Sequence, residues 1–316
     1  MEQFLPKPFK AANWLPNGHF QSIFASLCMP VGLPEYRREV INLPDGDIIA
    51  ADWVDGEKNA PLAVLIHGME GSSDSRYARL LMNECRNRGW AGVVLHMRSC
   101  GDLINRHKQF YHAGFYDDIE YFLDELLPAM GYTDKVFLLG VSLGGSQIAH
   151  YLVNGKATDR VRAGAIISTP LDLAACADFM SNGFSRVYVT RFRNSLLKKY
   201  HLKADIIGDD RFEKELSKAK TFWDLDNAAT APMHGFRDAA HYYDEMSSKK
   251  CLKDIPVPTL YLASQDDPFV PEASMPQRPM GHVMPVITER GGHVGFVDHF
   301  GRSWMAPTVF DFLTRY

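Results

Sequence analysis

The stretch Lys135-Val136-Phe137-Leu138-Leu139-Gly140-Val141-Ser142-Leu143-Gly144-Gly145-Ser146-Gln147-Ile148-Ala149-His150-Tyr151-Leu152 decides how this chain folds. The run from Lys135 to Leu139 is short and apolar and reads as a fully buried strand. Gln147 to Leu152 reads as the helix that follows it. Between them lies Gly140-Val141-Ser142-Leu143-Gly144, a serine framed by glycines. At a strand-to-helix junction such a serine sits on a sharp, strained turn with its hydroxyl clear of the sheet. Small neighbours let strand and helix approach closely. A glycine-rich loop without chemistry could carry the same letters, but the strand–turn–helix context favours a nucleophile.

Working outward, the same alternation recurs. Glu39–Leu43 and Ile48–Trp53 flank Pro44-Asp45-Gly46-Asp47, a hairpin signal. Leu62–Ile66 and Ala91–Leu95 read as buried strands, with a helix over Tyr77–Arg88 between them that Gly89 terminates. Tyr116–Leu127 reads as a helix with Asp117, Asp118 and Glu120 in its favourable first turn. Ala163–Ile167, Thr259–Ala263 and Met284–Thr288 read as further strands, and Thr308–Tyr316 as a closing helix. Strands alternating with helices predict a mostly parallel sheet covered on both faces, with the opening hairpin adding antiparallel strands at one edge. Ligands on such sheets bind beyond the carboxyl ends of the strands, which puts Ser142 at the rim.

The strand pattern stops between Leu171 and Lys253, a stretch rich in Arg, Lys, Phe and Tyr. No Gly/Ser- or Pro-type linker bounds it. The expected organisation is one domain over 1–316 with an inserted helical lid over 171–253; ordinary helices packed around the sheet are the alternative. The aromatics of this stretch (Phe179, Phe184, Tyr188, Phe192, Phe222, Trp223) could wall an apolar pocket or form the core of the insertion itself.

Composition excludes several classes. A formal net charge of −4 gives no electrostatic case for nucleic acid or an anionic membrane surface. No segment approaches a membrane span, and the N-terminus lacks the basic start and apolar core of a signal peptide. Phe9–Leu27 could touch a membrane surface or cover the fold, and the latter is favoured. The five cysteines are scattered without C-x-x-C, which predicts reduced thiols and a cytoplasmic setting. None of the twelve histidines has metal-ligand spacing. No sequence pattern fixes an oligomeric state.

A serine hydroxyl needs a base, and the base needs an orienting carboxylate. Leu260-Tyr261-Leu262-Ala263-Ser264-Gln265-Asp266-Asp267-Pro268 sets two carboxylates just past a strand. Glu289-Arg290-Gly291-Gly292-His293-Val294-Gly295 sets a histidine in a glycine-rich loop past the last strand. The order Ser, Asp, His is that of a nucleophile on an α/β-hydrolase elbow. The interval from Ser142 to Asp267 leaves room for a lid; that from Asp267 to His293 fits one helix and one strand. Asp267 is preferred as the acid because Pro268-Phe269-Val270-Pro271 turns the chain away and leaves its carboxylate at the rim. Asp266 would bond amides of its own turn, and Asp298 is a weaker alternative.

For a developing oxyanion, backbone N–H donors are expected from Leu143, which begins the helix, and from Met69 in His67-Gly68-Met69-Glu70-Gly71, the loop after the Leu62 strand. The segment His96-Met97-Arg98-Ser99-Cys100-Gly101, with Asn105-Arg106 and Tyr111-His112, is dense in polar groups and predicts a hydrogen-bond network at the rim. Cys100 has no base placed for it.

These words together resemble the YheT-like branch of the α/β-hydrolase superfamily. The resemblance rests on His67-Gly68-Met69-Glu70-Gly71, Gly140-Val141-Ser142-Leu143-Gly144-Gly145, Asp266-Asp267-Pro268-Phe269 and Gly291-Gly292-His293-Val294-Gly295-Phe296. Asn13-Trp14-Leu15-Pro16-Asn17-Gly18-His19, His96-Met97-Arg98-Ser99-Cys100-Gly101 and Gly183-Phe184-Ser185-Arg186-Val187-Tyr188 extend it over nearly the whole chain. It implies an α/β-hydrolase fold, carboxylesterase-like chemistry with some relatives acting on lipids, and the second aspartate of the pair as triad acid, here Asp267. The branch commonly has Arg-Gly-Cys where this chain has Arg98-Ser99-Cys100.

The resulting expectation is a serine hydrolase acting on a small-molecule ester, with Ser142, His293 and Asp267 as triad and no cofactor. An acyltransferase or thioesterase on the same triad, and a hydrolase-fold binding protein without turnover, are the alternatives.

Overall fold

The computed structural model describes residues 3–132, 136–156, 158–208 and 210–316. Lys135, read as the start of a strand, lies outside them. Eight strands form one sheet: β1 (Arg37–Asn42), β2 (Ile48–Val54), β3 (Leu62–Ile66), β4 (Ala91–Leu95), β5 (Val136–Val141), β6 (Val161–Ile167), β7 (Thr259–Ser264) and β8 (Val283–Thr288). Their spatial order is β1-β2-β4-β3-β5-β6-β7-β8. The hairpin β1–β2 and the β2–β4 pairing are antiparallel; all other pairings are parallel.

Why these runs are strands follows from burial on both sides. Every residue of β3, β4, β5 and β7 is buried. Successive side chains point to opposite faces. Leu62, Val64, Ile66, Val136 and Leu138 therefore enter one core, together with Trp53, Phe122 and Tyr151. Ala63, Leu65, Phe137, Leu139 and Val141 enter the other, with Trp90, Phe310 and Phe312. Helix Leu143–Asn154 and the helical run beginning at Asp117 cover the first face. Helices Arg76–Asn87 and Met305–Leu313 cover the second. Each large apolar side chain so buried contributes roughly 1.5–3 kcal/mol.

Several boundaries differ from the sequence reading. The helix after Ser142 begins directly at Leu143 rather than at Gln147, because Gly144 and Gly145 are its first turn. The closing helix runs over Met305–Leu313, starting earlier than Thr308. The Tyr116–Leu127 segment widens into a π-helical stretch over Phe122–Leu126. Between Asp267 and His293 the chain makes only a short 3₁₀ turn, Glu272–Ser274, before β8, not a full helix. The prolines at 268, 271, 276 and 279 deny a helix its amide donors there.

Between β6 and β7 the described residues contain helices and no strand. The main ones are Leu173–Met180, Arg186–Leu202, Asp210–Lys218 and Ala239–Met246. The order of the sheet explains where a crevice opens. The chain leaves β3 toward β4 on one side and returns to β5 on the other, so the loops after β3 and β5 diverge and open a crevice at their carboxyl ends.

Candidate active site

Ser142 closes β5 in a backbone conformation that side chains rarely adopt, φ 53° and ψ −121°. Its own N–H donates to the Ile167 carbonyl at 2.8 Å, and its carbonyl accepts the Gly145 N–H at 2.9 Å. Two bonds to rigid elements thus hold a turn that costs of order 1–3 kcal/mol. The following glycines are required sterically. A Cβ on Gly144 would lie 2.3 Å from the Ile66 carbonyl oxygen, and one on Gly145 would lie 1.9 Å from Thr169 Oγ1. Without them the helix could not seat against β3 and β6.

Three side chains from three strand ends meet here. His293 Nε2 lies 3.0 Å from Ser142 Oγ. His293 Nδ1 lies 2.9 Å from Asp267 Oδ2 and 3.1 Å from Oδ1. A carboxylate only accepts, so Nδ1 carries the proton and Nε2 is free to accept from the serine. Asp267 is buried, and its Oδ1 also accepts the Phe269 N–H at 2.8 Å and the Val270 N–H at 3.2 Å. The Phe269 ring stacks on the imidazole with centroids 4.1 Å apart.

Asp266 behaves differently from its neighbour and from the expectation for it. Its Oδ1 accepts the Gly291 and Gly292 N–H groups at 2.8 Å each, and the Ser264 hydroxyl at 3.0 Å. It pins the histidine loop rather than its own turn, because Gly291 and Gly292 arrive beside it from β8. Asp298 accepts the Phe300 and Arg302 N–H groups in a surface turn and does not face the imidazole's Nδ1, which Asp267 occupies.

In the loop after β3 the amides around Met69 are occupied. Gly68 N–H donates to the Tyr77 hydroxyl at 2.8 Å, Glu70 N–H to the Tyr111 hydroxyl at 2.9 Å, and Gly71 N–H to the Gly68 carbonyl at 2.9 Å. Among the described residues Met69 N–H has no acceptor, and Leu143 N–H is the first of its helix, where no intrahelical acceptor exists. His67 supports the loop from beneath. Its Nε2 accepts the Met97 N–H at 3.1 Å, so Nδ1 donates to the Gly68 carbonyl at 2.7 Å. Burial, aided by neighbouring His96, pushes its pKa down to about 3 and keeps it neutral.

Two cavities open on either side of Ser142. The inner one, about 100 Å³, is lined by Met69, Leu143, Met180, Phe192, Phe222 and Phe269 among others, and also meets Ser142 and His293. At its wall sits Asp226, whose carboxylate accepts the Tyr243 and Thr230 hydroxyls at 2.5 Å each; burial pushes its pKa up to about 6. The outer one, about 260 Å³, is more polar and is lined by Ser22, Ser26, Arg76, Tyr77, Arg191 and Ser195 along with Ser142 and His293. Of the aromatics flagged between Leu171 and Lys253, Phe222 lines the inner cavity, Tyr188 the outer one and Phe192 both. Phe179 and Phe184 are exposed, and Trp223 packs edge-on against Tyr243.

The polar segment after β4 forms a buried network. Arg98 bridges Asp118 and Asp47, and Asn105 bonds Asp47 and Ser99. Ser99 stands at φ 59°, a conformation glycine adopts at no cost, and its hydroxyl bond to Asn105 at 2.5 Å holds it there. Burial pushes the Cys100 thiol up to about 11, leaving it protonated at neutral pH. Asp45, Asp47 and His107 could converge on one cation, but Asp47 is already taken up by Arg98 and Asn105.

Sequence reasoning missed the N-terminal helix Gly18–Ile23. Ser22 Oγ accepts the His293 N–H at 2.8 Å, and Gln21 bonds both the N–H and the carbonyl of Val297. A Cβ on Gly18 would lie 1.7 Å from the Asp266 carbonyl oxygen. The available signal was Asn17, whose side chain caps this helix, directly before a glycine that permits close approach.

A family model of the alpha/beta hydrolase fold matches residues 61–300. The chain belongs to the α/β-hydrolase family. Within it, an Escherichia coli relative named "Putative esterase YheT" is 34% identical over 97% of this chain and 94% of its own length, which places the chain in the YheT-like branch. A mouse relative named Phospholipase ABHD3 is 28% identical over 84% of this chain and 67% of its own. Among solved α/β-hydrolase structures, the Pyrococcus furiosus esterase Pf2001 superposes with a TM-score of 0.60 at 15% identity, covering 99% of this chain and 98% of that one, a likeness of fold alone. As an α/β hydrolase of this branch, the chain is an esterase- or lipase-type hydrolase. No helix among the described residues is long and apolar enough to cross a membrane.

Proposed function

We propose that this chain is a serine hydrolase that cleaves carboxylic esters through an acyl-enzyme. The observation that carries the reading is the continuous chain from Ser142 Oγ to His293 Nε2 at 3.0 Å and from His293 Nδ1 to Asp267 Oδ2 at 2.9 Å, beginning on a strained turn. Ser142 attacks the ester carbonyl as His293 takes its proton. The imidazolium then protonates the leaving alkoxide, and Asp267 stabilises that charge and holds the ring. Water, deprotonated by His293, attacks the acyl-enzyme and releases the acid. The Met69 and Leu143 N–H groups bind the oxyanion of both tetrahedral intermediates. No cofactor enters any of these steps.

The insertion over 171–253 acts as a lid in this reading. Its Phe192 and Phe222 wall the inner cavity, which suits an apolar acyl group, while the larger, more polar outer cavity suits the leaving alcohol. Short- to medium-chain and lipid-like esters fit that division. The free state of all five cysteines suits a reducing compartment such as the cytoplasm.

The test is a panel of esters of graded acyl length, assayed with wild type and Ser142→Ala side by side. Wild type should turn over the panel with an optimum in acyl length, and Ser142→Ala should show none of it. Cleavage that persists in the purified variant removes the mechanism. Offering alcohol acceptors and acyl thioesters in the same assay separates hydrolysis from acyl transfer and thioesterase activity.

A further inference from the structure

Glu70 follows Met69 and stands at φ 57°, in the left-handed region although it is not glycine. That conformation costs roughly 1–2 kcal/mol, so something must hold it. The Tyr111 hydroxyl accepts the Glu70 N–H at 2.9 Å and donates back to Glu70 Oε1 at 2.5 Å, closing a ring around the residue. The same Oε1 receives the Lys199 ammonium at 2.6 Å, and Oε2 receives the Ser195 hydroxyl. Both side chains of the ion pair are almost out of solvent, 8% exposed for Glu70 and 12% for Lys199.

Ser195 and Lys199 lie on helix Arg186–Leu202, which belongs to the insertion. Tyr188, Phe192, Ser195 and Lys199 are spaced three or four residues apart and so share one helix face. That face spans the site. At one end Tyr188 packs on Phe269 at 4.6 Å, and Phe269 stacks on His293. At the other end Ser195 and Lys199 hold Glu70. Met69 N–H therefore lies between two fixed amides. That of Gly68 is tied to Tyr77 of the scaffold. That of Glu70 is in a kink whose carboxylate is tied to the insertion.

We propose that Glu70 is a positioning residue that couples the seating of helix Arg186–Leu202 to the orientation of the Met69 N–H, so that the oxyanion site is complete only while the insertion is docked. This rests on the serine-hydrolase reading above. With Lys199 withdrawn, a nearly buried carboxylate is left without its cation. The left-handed kink then loses its anchor, and the donor beside it drifts from the oxyanion position. A shift of about 1 Å in such a donor is worth on the order of 10²-fold in rate.

Glu70→Gln, Lys199→Met and their combination test this. For a short-chain ester that does not reach the insertion, each single variant should lose about 10- to 100-fold in kcat, with KM changed by less than about threefold. Affinity for an alkyl boronic acid, which forms a tetrahedral adduct on the serine, should fall in parallel with kcat/KM. The double variant should be no worse than the poorer single one, because both remove the same tie. A merely structural tie would lower the melting temperature without moving boronate affinity, and that result overturns the proposal. So does retention of wild-type kcat and boronate affinity in the folded variants. If Glu70→Gln fails to fold, Lys199→Met and Ser195→Ala, which leave the loop sequence intact, decide the matter by the same criteria. Wild type is the control that separates the two claims: without boronate binding or turnover there, the hydrolase reading itself has failed.

Discussion

The sheet rim and the helical insertion that faces it are held in different ways. The rim is fixed by backbone. Ser142 is tied through its N–H to Ile167, Asp266 grips two amides of the histidine loop, and Ser22 grips a third. Beneath it lie strands with every residue buried. The insertion joins the buried core through Val189, Leu196, Tyr200 and Leu225, and only a few of its polar side chains reach the rim. Lys199 and Ser195 reach Glu70, Lys203 reaches Asn105, and Ser185 donates to the Pro268 carbonyl. Its outer surface leaves Phe179, Phe184, Val187, Leu202 and Ile206 exposed. The contrast points to a division of labour under the proposed function: the proposed reacting groups sit on backbone-anchored strand ends, and the proposed substrate walls sit on helices whose polar ties to the rim are few.

Substitutions at the rim should cost most. His293→Ala should lower kcat by about 10³-fold or more, and Asp267→Asn by a comparable factor, because the wrong imidazole tautomer then faces Ser142. Asp266→Asn, which bonds the Gly291 and Gly292 amides and the Ser264 hydroxyl rather than the imidazole, should lose far less. Stopped-flow kinetics on one ester ranks the three, and an Asp266 variant as damaged as the Asp267 variant would reverse the assignment of the acid.

Next in size is the turn itself. Gly144→Ala places a Cβ against the Ile66 carbonyl, which is backbone and cannot step aside. It should destabilise the fold by about 2–4 kcal/mol in urea unfolding. An alanine there that leaves the midpoint unchanged would show that the elbow is looser than its contacts imply.

The pH dependence of stability is smaller and comes from neutral histidines. Burial pushes His67 and His112 down to about 3 and His234 to about 4. Below about pH 6.5 the unfolded chain binds protons that these folded residues refuse, so stability is present at neutral pH and is lost as pH falls. Buried Asp226, raised to about 6, works against that loss by taking up a proton in the folded state between about pH 6 and 4. His112→Gln should remove about 1.4 kcal/mol per pH unit from the acid-side slope of a urea-midpoint plot. An unchanged slope would mean that His112 charges in the folded protein.

Smallest is the insertion's own contribution to selectivity. Phe192→Ala or Phe222→Ala enlarges the inner cavity and should shift the preferred acyl length upward, changing ratios of kcat/KM by about 10-fold. If neither variant moves the ratios, the inner cavity does not take the acyl group.

Much of the rim was legible in the sequence because it depends on local chemistry. Alternating buried runs dictate strands, and a serine between glycines dictates the turn. The pair Asp266-Asp267 and the glycine-flanked His293 each follow a strand end, so sheet topology alone brings them together. That Asp267 rather than Asp266 would meet His293 was readable from the prolines that redirect the chain. What Asp266 does instead was not, because its partners Gly291 and Gly292 come from a distant loop. The insertion resisted reading for the same reason. Its aromatics at helical spacing fit either core or pocket, and only packing sends Phe192 and Phe222 inward while Phe184 stays exposed. Glu70, Lys199 and Asp226 carry no local pattern. Their significance lies in partners contributed by other elements, as does that of Ser22 in a helix that reads as a plain cover for the fold.

In the proposed mechanism Ser142 is made reactive by His293 and Asp267. Peptide mass spectrometry after reaction with a fluorophosphonate tests it most directly. A single adduct is expected, on the peptide that carries Ser142, forming in wild type at neutral pH and strongly slowed in His293→Ala. Labelling at another residue, or equal labelling with and without His293, would contradict it.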